Sequence, residues 1–216
     1  MRRERLLMRY YQAMHDALGP RHWWPARTPF EVCVGAVLTQ NTAWKGVEKA
    51  IAALHEAGAL DPRRLSALPV SRLEELIRPA GYFRLKAARL KNLLDYLEKS
   101  CGFDFDALAQ RPMEELRREL LAVTGVGPET ADCILCYALS KPSFVVDAYT
   151  RRILVRHALV PEDIAYGELR EFFMDVLPED TALYNDFHAQ LVRVGNRFCK
   201  TKQPACGECP LGAFLA

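Results

Sequence analysis

Three groups of residues in this chain are of types, and at spacings, that do chemistry. The first is a lone carboxylate. Asp147 closes the short apolar run Phe144-Val145-Val146 and precedes Ala148-Tyr149-Thr150-Arg151-Arg152. At such a boundary an aspartate caps the following helix, or serves as a fixed anion for a positive charge that develops during a reaction. Both roles are compatible, because capping immobilises the carboxylate. The second group is Gly125-Val126-Gly127, twenty residues earlier, followed by Pro128. Two glycines permit a tight turn, and the proline suits the first turn of a helix, so backbone N–H groups would face outward at a helix N-terminus and form an anion site. A plain glycine-containing link between packed helices is the alternative. The third group is Cys199-x6-Cys206-x2-Cys209, a metal-ligand spacing near the C-terminus.

These groups must be positioned by helices, since almost every segment has helical period and helical punctuation. Residues 1–18 form an amphipathic segment ending at Gly19-Pro20. Thr28-Pro29-Phe30-Glu31 is a capping box with proline in the first turn, opening a helix to about Leu38. Thr42 can cap a helix over about 43–55, Asp61-Pro62 starts a short one, and Ser71 with Glu74 makes a second capping box. Longer amphipathic segments cover 85–97 and 113–122, where Met113, Leu116, Leu120 and Leu121 share a face. Others follow at about 105–110, 128–139, 148–158, 167–176 and 181–195. No strand alternation persists and no internal repeat occurs, so the fold class is all-α.

Composition sets bounds but does not name a function. At 216 residues and 50% hydrophobic content the chain can bury a sizeable core. The hydrophobic runs are too short for a membrane span, and the basic N-terminus lacks the apolar stretch of a signal peptide, so a cytoplasmic protein without membrane contact is expected. A net charge of +2 does not by itself suggest nucleic acid. Arg84, Lys86, Arg89 and Lys91 cluster, but a solvated helix face accounts for that equally well. The odd cysteine count, seven, argues against a disulfide framework and toward buried thiols plus a metal site. Cys133 and Cys136, three apart on one helix, read as buried small residues rather than a redox pair.

The order of these features (glycine hairpin, apolar stretch, V-D, then the cysteine loop) resembles the endonuclease III, or HhH-GPD, superfamily of DNA glycosylases, along nearly the whole length from about Thr28 to Cys209. The resemblance implies two lobes, 26–143 with the helix-hairpin-helix at about 113–139, and 1–25 plus 144–216 with the C-terminal cysteine loop, the substrate cleft lying between them. It makes Asp147 the essential carboxylate and the backbone of Gly125, Val126 and Gly127 a grip on a DNA phosphate. Bifunctional members place a lysine just after the G-V-G-x of the hairpin. This chain has Glu129, and a carboxylate cannot form a Schiff base, so removal of a base without strand cleavage is implied. Two loops match the family's intercalating loops. Gln40, in Leu38-Thr39-Gln40-Asn41-Thr42, corresponds to a plugging glutamine, and Tyr82, in Gly81-Tyr82-Phe83, to an apolar wedge. Loop capping by the Gln40 amide and partial burial of Tyr82 beside Phe83 are the structural alternatives.

Trp23-Trp24-Pro25, followed about twenty residues later by Gln40-Asn41-Thr42-Ala43-Trp44, is similar to one branch, the endonuclease-III-like 3-methyladenine DNA glycosylases. The likeness implies a purine held by Trp24, Pro25 and Trp44. An alkylated adenine is cationic, and an aromatic face favours a cation by about 0.5–2 kcal/mol. Trp23 is expected in the core. The cysteine loop supplies three of the four ligands of the family's C-x6-C-x2-C-x5-C iron–sulfur motif, with Leu215 in the fourth place. A structural [4Fe–4S] cluster on Cys199, Cys206 and Cys209 with a non-cysteine or external fourth ligand is the expectation; zinc on the same thiols, or the remnant of a lost site that holds no cofactor, are the alternatives. The expected partner is double-stranded DNA carrying a damaged base, bound by a monomer. The rivals are a glycosylase for thymine or uracil opposite guanine, and a DNA-binding module without catalysis.

Overall fold

The computed structural model of the protein describes residues 2–20 and 24–215; Trp23 lies outside the described residues. It is helical, with no strand among the described residues, as the periodicity requires. No helix there is long and apolar enough to cross a membrane. The chain folds into two compact units, one made of residues 1–25 and 142–216 and the other of 26–141.

In chain order, helix α1 (Arg3–Leu18) opens the first unit and ends where Gly19 takes a positive φ of 71°. The second unit contains α2 (Pro29–Leu38), α3 (Trp44–Glu56), α4 (Pro62–Ala67), α5 (Val70–Leu76), α6 (Phe83–Cys101), α7 (Phe105–Gln110), α8 (Met113–Ala122) and α9 (Pro128–Cys133). Helices α10 (Ala148–Arg156), α11 (Tyr166–Met174) and α12 (Thr181–Arg197) complete the first unit.

Several ends follow the local chemistry. Thr28 Oγ1 accepts from the backbone N–H of Glu31 at 3.1 Å. Asp61 caps α4 through the N–H of Arg64 at 2.9 Å. Others differ from expectation for identifiable reasons. Thr42 does not cap α3, whose N-cap is Ala43, because its hydroxyl oxygen accepts from Lys86 Nζ and its proton goes to the Ala80 carbonyl. Ser71 lies inside α5, because the carbonyl of Pro69 already accepts from both Arg72 and Leu73. The segment over 128–139 is not one α-helix: Ile134–Ala138 widens to a π-helical turn, closed by the Leu139 N–H on the Ile134 carbonyl at 3.1 Å. Such turns are frequent at functional sites.

In the first unit the core is aromatic. Phe144 stacks on Phe173 with centroids 4.1 Å apart, and Tyr184 and Phe187 meet Phe144 edge-on at 5.2 and 5.6 Å. Phe144, Val145 and Val146 are all buried, so the segment leading to Asp147 is anchored by packing. Helix α12 also receives the C-terminus of α1: Gln190 Nε2 and Arg193 Nη1 donate to the carbonyls of Gly19 and Leu18 at 2.8 and 2.7 Å. These bonds satisfy carbonyls that a helix end leaves unpaired. Helices α10 and α12 approach so closely that a β-carbon added at Gly195 would stand 2.5 Å from the Tyr149 side chain.

That approach generates a prediction. Gly195→Ala forces the first turn of α10 away from α12 and lowers stability by about 1–3 kcal/mol, measured by urea denaturation. An unchanged midpoint would show that the two helices can separate without cost.

Candidate functional site

Asp147 sits at the N-cap of α10 with its side chain 13% exposed. One carboxylate oxygen accepts from both the backbone N–H and the hydroxyl of Thr150, at 2.7 and 2.9 Å. The other lies 3.7 Å from Nε2 of His188, a buried residue of α12. Burial pushes this carboxyl upward. The His188 imidazole and the two Thr150 donors more than reverse that, so Asp147 titrates below its ordinary value. The result is an enclosed carboxylate that stays charged at neutral pH. His188, forty-one positions away, is the residue the sequence did not disclose: a solitary histidine within an amphipathic helix carries no signal of its own.

The same helix, α10, reaches the cysteine loop. Arg152 donates to the carbonyls of Cys199 and Gly195 at 2.6 and 3.1 Å, and Arg156 Nη1 lies 2.8 Å from Cys199 Sγ. Cys199, Cys206, Cys209 and Leu215 line one small hollow with a cavity volume of about 10 Å³. The Leu211 N–H points to Cys209 Sγ at 3.4 Å. Burial raises the Cys209 thiol, and the neighbouring Cys199 and Cys206 raise it further. No three acidic, cysteine or histidine side chains among the described residues form a group that could hold a single metal ion. A four-iron cluster takes one thiolate at each of four corners, and three cysteines line this hollow. The fourth corner would meet Leu215, which offers no donor. His157 also lines the hollow, but Tyr10 Oη engages its Nδ1 at 2.8 Å and the backbone of Phe214 takes a further bond.

In the second unit the two helices of the hairpin, α8 and α9, are pinned by a bidentate pair, Arg117 Nε and Nη2 to the buried Asp132 at 2.9 and 3.2 Å. The glycines between them are not equivalent. Gly125 has φ 97°, and Arg89 lies against it, so a β-carbon would stand 2.3 Å from Arg89 Cγ. Gly127 has φ −90°, and a β-carbon there would meet nothing within 4 Å, so neither backbone conformation nor protein packing calls for glycine at that position. Val126 differs from the expectation of an outward donor, because its N–H closes the turn on the Val123 carbonyl at 2.9 Å. Glu129 is exposed on the first turn of α9.

The two candidate intercalating residues are placed very differently. Gln40 is tied down: its Nε2 donates to the Gly125 carbonyl at 3.1 Å and to Thr130 Oγ1 at 2.9 Å, while Oε1 accepts from Arg89. Tyr82 is 69% exposed and holds a left-handed backbone, φ 44°. Its exposure means that burial does not hold the ring there, and the left-handed backbone is kept by the surrounding contacts. Trp44 is half-buried, with its indole N–H on Glu48 at 2.8 Å, and Trp24 is half-buried beside exposed Pro25. Cys133 and Cys136 are buried as expected, and burial pushes the Cys136 thiol up to about 12.

The basic cluster of α6 is only partly a solvated face. Arg84 is exposed, but Lys91 donates to the carbonyls of Leu65, Ser66 and Leu68 at 3.0, 2.7 and 2.7 Å. Lys86 is 1% exposed. Burial, then the charge of Arg89, lowers its ammonium to about 8.

This combination of hairpin, V-D carboxylate and cysteine loop is matched by known proteins. Residues 34–179 match the family model of the HhH-GPD superfamily base excision DNA repair proteins. The chain is 42% identical, over 97% of its length and 95% of the relative's, to a protein of Methanocaldococcus jannaschii whose DNA repair glycosylase assignment is itself provisional. It is 34% identical to endonuclease III of Thermotoga maritima, over 84% of this chain and 79% of that one. The solved 3-methyladenine DNA glycosylase of H. pylori, bound to 1,N6-ethenoadenine, superimposes with a TM-score of 0.78 at 28% identity, covering 91% of this chain and 98% of the other. The protein therefore belongs to the HhH-GPD superfamily of base excision DNA repair glycosylases.

The unequal glycines make a prediction. Gly127→Ala folds with wild-type stability yet weakens binding to duplex DNA, by about tenfold if its methyl blocks close approach of a phosphate, as read by fluorescence anisotropy. Gly125→Ala is destabilised in thermal unfolding. Tight duplex binding by Gly127→Ala would show that nothing approaches the hairpin there.

Proposed function

We propose that this chain is a monofunctional DNA glycosylase that hydrolyses the N-glycosidic bond of alkylated purines in duplex DNA, 3-methyladenine above all. The observation that carries this reading is the enclosed Asp147 carboxylate, held charged by Thr150 and His188. Cleavage of the C1′–N bond leaves positive charge on the sugar, and a fixed anion stabilises that charge. A carboxylate held below its ordinary range is a weak proton acceptor, so its work is electrostatic, together with orienting a water. That water's oxygen bonds to C1′, its proton passes to solvent or transiently to Asp147, and the bond pair leaves with the base. A 3-methylated adenine is already cationic, so this pair neutralises it and no general acid is needed.

The other parts take roles consistent with that chemistry. Gly125 and Gly127 shape the hairpin that receives a phosphate. Tyr82 is the wedge that holds the duplex open while the nucleotide is rotated out. Gln40 takes the plugging role from a position preset by Arg89, Gly125 and Thr130. Trp44 in one unit, and Trp24 with Pro25 in the other, are each of a type that offers a face to a cationic purine. The similarity to the H. pylori enzyme, whose structure holds a modified adenine, favours this substrate class. Glu129 stands where a lysine would form a Schiff base, so strand cleavage is not part of the reaction.

Cys199, Cys206 and Cys209 would hold a [4Fe–4S] cluster, whose contribution is to brace the C-terminal segment rather than to transfer electrons. Arg156 already directs its guanidinium to the Cys199 sulfur, which suits a thiolate. Purified protein is expected to contain about three to four irons with matching acid-labile sulfide, and Cys206→Ser to lose both together with thermal stability. Full stability in protein free of iron would remove the cluster from the account.

The function itself is tested by base release from methylated duplex DNA, with strand breaks scored before and after alkali. The expected outcome is free 3-methyladenine, breaks only after alkali, and at least a hundredfold slower release by Asp147→Asn, about 3 kcal/mol of transition-state stabilisation. Since Asp147 titrates below a usual value near pH 4, release should be flat on its acid side from about pH 7 down to pH 5. Release of thymine or uracil opposite guanine instead would transfer the proposal to mismatch repair. Breaks without alkali would mean that another amine performs lyase chemistry, and an acid limb near pH 6 would mean that Asp147 is not held charged.

A further inference from the structure

Among the described residues of the second unit, Lys86 is an almost wholly buried lysine, and its ammonium is placed where three donors find three acceptors. Nζ donates to the Leu38 carbonyl at 2.8 Å, to the Ala80 carbonyl at 2.7 Å and to Thr42 Oγ1. Leu38 and Thr42 bracket the loop that carries Gln40, while Ala80 precedes the turn that carries Tyr82. The Thr42 hydroxyl in turn donates to the Ala80 carbonyl, closing a ring of polar contacts between the two loops. Each loop contains a non-glycine residue in the left-handed region, Asn41 at φ 51° and Tyr82 at φ 44°. Such conformations persist only where surrounding contacts enforce them. One helical turn along α6, Arg89 holds Gln40 Oε1 and lies on Gly125, so the same face of α6 also meets the hairpin.

We infer that Lys86 is a positioning residue that locks the Gln40 loop and the Tyr82 loop into one rigid intercalating element, so that opening of the duplex requires both to act together. The geometry is specific to an ammonium. A hydrophobe of equal length would leave the Leu38 carbonyl without its donor and the Ala80 carbonyl with the Thr42 hydroxyl alone, so that the loops would be held together less firmly. Packing alone does not call for a lysine here, since burying a charge costs energy that only a full set of hydrogen bonds offsets. This inference rests on the reading of Gln40 and Tyr82 as intercalating residues, and its test separates the two.

The probe is a duplex containing a tetrahydrofuran abasic analogue with 2-aminopurine beside it, whose fluorescence reports unstacking of the neighbouring base. Affinity for this duplex is compared with affinity for an undamaged one, and folding is followed by thermal unfolding and circular dichroism. Lys86→Met is expected to fold, to lose most of the 2-aminopurine signal and to bind the abasic duplex about tenfold to a hundredfold more weakly, the scale of a misplacement of about 1 Å, with undamaged-duplex affinity little changed. If Lys86→Met fails to fold, Thr42→Val takes its place. It removes one acceptor of the ring and is expected to cost about threefold to tenfold in abasic-duplex affinity, one net hydrogen bond. A folded Lys86→Met, or failing that Thr42→Val, with wild-type unstacking and affinity overturns the proposal. Gln40→Ala and Tyr82→Ala serve as controls. If neither alters unstacking, the intercalation reading itself has failed and the proposal falls with it. If they do alter it while the ring variants do not, only the role of Lys86 is wrong.

Discussion

A carboxylate that must be enclosed and still carry its charge is the constraint around which residues 142–197 are arranged. Taking an anion out of water is expensive unless donors replace the water it loses. Here Thr150 supplies two donors from within α10 and His188 supplies an imidazole from α12. The imidazole demands that the two helices keep a fixed distance and rotation. The close contact of Gly195 with Tyr149 and the Arg152 bonds to the Gly195 and Cys199 carbonyls hold that relation. The aromatic cluster about Phe144 fixes the extended segment that delivers Asp147 to its place. Packing, capping and charge are therefore not separable here: loosening any one exposes the carboxylate to water or strips it of its donors.

Residues 26–141 solve a different problem, that of holding loops rather than an anion. Loops expose carbonyls and lose entropy when fixed, and α6 answers with long cationic side chains turned inward. Lys91 closes the end of α4 and Arg89 reaches both a loop amide and the hairpin. The price of burying such cations is moderated because each meets several oxygens at once. The short hairpin helices need a further restraint, and the Arg117–Asp132 pair supplies it from the buried side.

Much of this is legible in the amino-acid sequence, and the gaps have physical causes. Helix periodicity yields the fold class, and the G-V-G, V-D and cysteine spacings yield the family, because those features are local. Asp147 as a cap is legible for the same reason. The partner His188 is not, since only tertiary packing brings α12 against α10. The basic residues of α6 read as either a ligand-facing patch or a solvated face, and Lys86 and Lys91 are neither, because sequence records that a lysine is present but not which carbonyls lack donors. The caps expected at Thr42 and Ser71 fail where a distant lysine or a neighbouring proline claims the same atoms. Gly125 and Gly127 look alike in sequence, and only the backbone's left-handed turn at Gly125 and the position of Arg89 tell them apart.

The exposure of Glu129 has a consequence for how such a protein can change over generations. Its neighbours Thr130, Ala131 and Asp132 are buried and committed to the hairpin, whereas position 129 faces solvent. Codons for glutamate and lysine differ by one base, and a helical surface position accepts either at little cost in stability. Asp147 enjoys no such freedom, for its loss would remove the cap of α10 and the carboxylate that faces His188 in one step. Selection for a folded chain is thus permissive at position 129 and strict at the carboxylate. A lineage could reverse the charge at position 129 by a single mutation without passing through a form that does not fold.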